Sequence, residues 1–171
     1  MRHEHLIRRL KKLPHKEFLM HGSGRRVRSQ RVMPKKPRVV FRNSPELFRK
    51  RVYATPVIEI ALLYAVIKSD HSAWDWCFIR KDGEIQLYCR VKKEPLVVRN
   101  GYIHILSRAE FRKKKVGVIF SSDHPVSVAQ TIRVSARIIG WLMKEVHFVR
   151  QVPETDELIN NLPFRRVRRA V

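Results

Sequence analysis

Apolar residues recur along this chain at two different periods, and the period sets the element expected. Leu6, Ile7, Leu10 and Leu13 lie on one side of a helical wheel, so residues 1–13 should form a short helix that Pro14 stops. Phe18, Leu19 and Met20 make a small apolar knot able to pin the following segment against the body or against a neighbouring protein. Val39 and Phe41 alternate within Arg38–Arg42, a first strand ended by Asn43 and Pro45, and Glu46–Tyr53 suits a helical turn exposing Arg49, Lys50 and Arg51. Thr55-Pro56 sets a capping hydroxyl before a proline whose missing N–H costs nothing in a first turn. The helix it opens should reach about Lys68 and, being apolar on every side, should be buried nearly all round.

Strand signals dominate the middle. Trp76–Arg80 and Glu84–Val91 read as a hairpin turning at Lys81-Asp82-Gly83, with Ile85, Leu87, Cys89 and Val91 on one face. Leu96–Val98 and Tyr102–Leu106 read as a second hairpin about Arg99-Asn100-Gly101, so that Trp74–Leu106 forms an antiparallel meander. Ser107 and Glu110 fit a capping box opening a short basic helix, and Val116–Phe120 should be one more strand. Asp123 and Pro125 then start a last long helix to about Phe148, with Val128, Ile132, Ala136, Ile139, Met143 and Val146 as its core stripe. Its other side carries Gln130, Arg133, Arg137, Trp141 and Lys144. Trp141 amid cations suits stacking on a base, but the plainer reading, the edge of the core, is preferred. Fold class is therefore expected to be α+β: an antiparallel sheet of about five or six strands against two longer helices.

Charge changes this picture at both ends. Of 37 Lys and Arg against 15 Asp and Glu, a net +22, residues 1–52 hold 17 cations and three acids, while residues 163–171 add four arginines and no acid. Between them, 16 cations face 12 acids, close to an ordinary globular balance. The organisation expected is a basic helix and extended arm over 1–42, a body over 43–152, and a docking segment with a cationic tail over 153–171. From Gly22 to Arg42 the candidate phosphate ligands are Arg25, Arg26, Arg28, Arg31, Lys35, Lys36, Arg38 and Arg42. Gly22, Gly24, Pro34 and Pro37 exclude a continuous helix there, and Val27, Val32 and Met33 bury too little to offset ordering, so alone the arm should be disordered. Guanidinium groups fork onto phosphates and release counterions, the main source of affinity for nucleic acid. Arg112, Lys113, Lys114 and Lys115, with Arg133 and Arg137, and the tail's Arg165, Arg166, Arg168 and Arg169, extend the candidate RNA-binding set. The bland alternative is a solvated basic extension.

Catalytic signatures are sparse. Phosphate-loop, dinucleotide-fold, nucleophile-elbow and zincin motifs are absent, as are the aromatic, glycine-loop and zinc-finger consensus patterns of known RNA readers. The enzymatic candidate is a metal-dependent nuclease built on Asp70, Asp75, Asp82 and Glu84, with Gln86 or Lys92 nearby, although the turn and the solvated strand face explain Asp82 and Glu84 better. Cys77 and Cys89 fall on neighbouring strands and are read as core thiols, and the eight histidines lack the spacing of a structural zinc site. No cofactor or metal is implied. The longest apolar run, residues 57–67, holds Glu59 and falls short of the ~20 residues a bilayer span needs. The Arg-rich, amphipathic start resembles an organelle-targeting address, though Glu4 is atypical of one.

In make-up, a weakly charged body with long Arg/Lys ends, the chain resembles ribosomal proteins as a class. That resemblance implies a non-enzymatic structural component of a large ribonucleoprotein, with mitochondrial ribosomes as the favoured setting and the cytoplasm as the other. Its expected partners are rRNA or another long structured RNA and neighbouring proteins, with no membrane. The rival reading is a free RNA- or DNA-binding regulatory or processing factor.

Overall fold

A computed structural model describes residues 3–35, 50–68, 74–81, 84–111, 115–116, 118–151 and 157–158. The class is α+β, but among the described residues there are eleven strands in three sheets and only three short helices.

Helix α2, Ile58–Val66, is the hub. Seven of its nine residues are buried, as its all-round apolar sequence requires, and it begins about two residues later than expected. Thr55 Oγ1 accepts the Val57 N–H at 3.1 Å just ahead of it. Helix α1, His3–Lys11, covers α2 with Leu6, Ile7 and Leu10, matching the periodicity that predicts it.

Strand β1, Phe18–Ser23, forms where a knot and the root of an arm were expected. It pairs antiparallel with β6, Gly101–Ser107, in register His21 to His104, and β6 pairs antiparallel with β9, Val126–Val134. The two-residue strand β2, Arg31–Val32, closes the other edge, giving the order β1-β6-β9-β2. One face turns Met20, Ile103, Ile105, Ile132 and Val134 into the core around α2. Two glycines let the helix lie against this face. A Cβ on Gly22 would sit 1.9 Å from the Ala61 carbonyl oxygen, and one on Gly101 would sit 1.8 Å from that of Ala65.

The other layers are smaller. Strands β4, Trp74–Lys81, and β5, Glu84–Val91, form the expected hairpin and bury Trp74, Trp76, Leu87 and Cys89 against α2. Strand β10, His147–Val149, adds parallel to β5, and β11, Glu157–Leu158, adds antiparallel to β4. Strand β3, Val52–Ala54, pairs with β8, Ile119–Ser122, which pairs with β7, Lys115–Val116. A second core of Leu19, Val32, Leu106, Phe111, Phe120 and Val126 lies beside this sheet.

Four expectations are corrected. The segment read as the first half of a long helix is strand β9; only Ile139–Glu145, α3, is α-helical, after a 3-10 turn over Ala136–Ile138. The reason lies in β-branched Val126, Val128, Thr131, Ile132 and Val134, which favour a pleated surface. Leu96–Val98 does not form a hairpin with Tyr102–Leu106: Val98 bridges Ile67, and the meander ends at β5. The basic helix after Ser107 is a 3-10 turn over Arg108–Glu110, with no Ser107 side-chain cap, and Lys115 lies in β7. Arg51, expected to be exposed, is buried and gives its Nε to Asp123 at 2.9 Å, the carboxylate read as a helix cap. The strand expected at Arg38–Arg42 lies outside the described residues.

Candidate nucleic-acid interface

The basic run is fastened to the body at both ends. Strand β1 holds its start on β6; at its far end the Gln30 carbonyl accepts the Val128 N–H at 2.8 Å, β2 pairs with β9, and Lys35 and Arg51 exchange both backbone hydrogen bonds. Residues 24–30 therefore form a strap from one edge of the four-stranded sheet to the other. This overturns the expectation that the whole arm takes shape only against a polyanion: through Lys35 its order comes from its own polypeptide. The strap lacks a core of its own but borrows backbone partners from strands already fixed by α2, which offsets its ordering entropy.

Arg25, Arg26, Arg28, Arg31 and Lys35 are all exposed. Among the described residues none of them is paired with a carboxylate; the ion pairs there join Arg51 to Asp123, Arg90 and Lys92 to Asp75, and Arg150 to Glu94. Lys36, Arg38 and Arg42 continue the run outside the described residues, as do Arg112, Lys113, Lys114, Arg165, Arg166, Arg168 and Arg169. Arg133 and Arg137 do not share a helix face. Arg133 is exposed on β9 and Arg137 is exposed in the 3-10 turn that follows, where its N–H meets Ser135 Oγ at 3.3 Å. Trp141 is half-buried against the main core, in line with the core-edge reading.

Under the strap lies a cluster that sequence reasoning missed. Tyr102, His104 and His21 form a stacked row, with ring centroids 6.3 Å and then 6.0 Å apart. His104 is fully buried; its Nδ1 meets Thr131 Oγ1 at 2.9 Å, and its Nε2 lies 3.4 Å from the Arg25 carbonyl of the strap. His21 gives its Nδ1 proton to the Tyr53 carbonyl at 2.7 Å. Burial drives the His21 pKa from 6.5 down to about 4; the Tyr53 bond opposes this, and the nearby charges of His104 and Lys35 assist it. His21 is thus neutral at pH 7, with its Nε2 lone pair as acceptor. Burial lowers the His104 pKa as well, against the pull of the Arg25 carbonyl. The alternation Leu19, His21, Ser23 carried the signal, hidden because the strand is only six residues long and opens a cationic stretch.

Of the carboxylates considered for a nuclease, Asp75 is held in ion pairs with Arg90 and Lys92. Burial pushes the Asp75 carboxyl up, but Arg90 and Lys92 outweigh it and hold it below its ordinary value. Among the described residues no three His, Cys, Asp or Glu side chains gather as a metal site. Asp70 and Asp82 lie outside them. No helix among the described residues is long and apolar enough to cross a membrane.

Comparison with protein-family models, with curated proteins and with solved structures finds no match to this chain.

Proposed function

We propose that this protein is an RNA-binding structural component of a large ribonucleoprotein, with a mitochondrial ribosome as the particular setting. The observation that carries the reading is the strap with its far anchor: five exposed cations from Arg25 to Lys35 without carboxylate partners among the described residues, on a backbone tied down at both ends. A fixed basic ridge grips phosphates with less entropy to lose than a free arm, so the body contributes to binding as well as the ends. The segments after Lys35 and after Leu158 remain the candidates for threading between RNA helices.

Salt dependence tests it. If the protein makes about six phosphate contacts, log K against log[salt] should slope at about −4 to −5. Replacing Arg25, Arg26, Arg28 and Arg31 together by Gln should flatten that slope by about 3 units while the fold persists, because all four side chains are exposed. A slope indifferent to these replacements would remove the strap from RNA binding. Sedimentation of the tagged chain separates the settings: co-migration with a ribosomal subunit supports the structural role, and a light pool supports a free factor.

A further inference from the structure

The geometry points to a nucleotide-sized anion site in the cleft between α1 and the end of β9, taking one nucleoside 5′-phosphate unit, a deepening that rests on the RNA-binding reading. The cleft has a volume of about 490 Å³, within the range of small-ligand sites, and is lined by His3, Arg9, Asn100, Thr131, Arg133 and Ser135 above apolar Leu6 and Ile132. No carboxylate lines it, and the one ring in its lining is the His3 imidazole.

What the lining groups have left to offer decides the ligand. Asn100 spends its Oδ1 on the Ala136 N–H at 2.8 Å, which leaves its amide NH₂ to donate. Ser135 Oγ already accepts from the Arg137 N–H, so its O–H remains to give. Arg9 from α1 and Arg133 from β9 add guanidinium donors that carry full charge. Beside His3 and Thr131, the lining offers mostly donors and two fixed positive charges, which suits an acceptor-rich anion, and its size exceeds one phosphate but suits phosphate plus ribose. Its single ring, the His3 imidazole, can stack on any base, so the site should not discriminate between bases.

The test titrates the full chain with uridine and adenosine 5′-monophosphates by NMR or calorimetry, alongside RNA binding. Both monophosphates should bind with similar affinity, weakened at least about tenfold by Arg9→Gln/Arg133→Gln and unchanged by the charge-matched Lys16→Gln/Lys144→Gln. All four residues are exposed, so neither pair should unfold the protein. Absence of monophosphate binding at millimolar concentration, or equal affinity in the two double variants, overturns the site. If that happens while RNA binding keeps its salt slope, only the cleft proposal falls. Monophosphate bound without any RNA retained upholds the cleft as a site for free nucleotide and removes the RNA reading instead.

Discussion

His21 gives its only proton to a carbonyl and stands against His104 and Lys35, so a second proton is far harder to place in the folded protein than in the unfolded chain. Its pKa is about 4 folded against 6.5 unfolded. Above pH 6.5 both states are neutral and stability is full; as pH falls from 6.5 to 4 the unfolded chain binds the proton first, and stability drops by an amount on the order of 3 kcal/mol. His104 shifts in the same direction and adds to the fall. Denaturant midpoints measured from pH 7.5 to 4 should decline through that window, and His21→Gln should flatten the decline; a profile level across it would contradict the burial of this imidazole. The cysteines make a second residue-scale prediction. Burial, with Asp75 adding to it, pushes Cys77 up to about 11 and Cys89 up to about 12. In the register Cys77 faces Tyr88 and Cys89 faces Trp76, so the two sulfurs point to opposite faces of the hairpin. Both thiols should resist iodoacetamide at neutral pH until denaturant is added, and no intramolecular disulfide should form under mild oxidation.

Between elements, the tightest fit is α2 on the β1-β6-β9 sheet. Gly22→Ala or Gly101→Ala would set a methyl group into the helix backbone, where no side-chain rotation can relieve it. Each should lower unfolding free energy by about 1–3 kcal/mol, readable in a urea melt, whereas alanine at exposed Gly140, with nothing within 4 Å of the new methyl, should not. From sequence Gly22 reads as a helix breaker; its use as a contact point needs the helix about forty residues away. The same limit explains which elements were legible. Helix α1 and the β4-β5 hairpin each carry an unambiguous local period, α2 is an apolar run opened by Thr55-Pro56, and each is present. Strand β9 was not legible, because Val128, Ile132 and Ala136 lie four apart, a spacing that fits both a helix turn and two steps of strand alternation. Long-range pairing to β6 settles the ambiguity, and no local pattern shows it. The basic candidates were visible by composition, but the imidazole row beneath them depends on the β1-β6 register. Far-UV circular dichroism should accordingly show a sheet-dominated spectrum, since α-helix among the described residues amounts to elements of nine, nine and seven.

For the molecule as a whole, a net charge of +22 on 171 residues works against compactness. Added salt shortens the Debye length to about 10 Å at 0.1 M and weakens that self-repulsion. Thermal stability of the free protein should therefore rise between 20 mM and 300 mM NaCl, the interval in which the proposed RNA affinity should fall; a decline in stability would show that paired surface charges, not repulsion, govern the fold. The strap has one more consequence, a mechanical one. A polymer gripped at Arg25–Arg31 and pulled would load β1 and β2 simultaneously along their lengths, so rupture would require several antiparallel rungs to shear together instead of peeling singly. Tension on the bound strand would thus be passed through the β-ladder to the buried helix, and the grip should outlast that of any tether fixed at a single point.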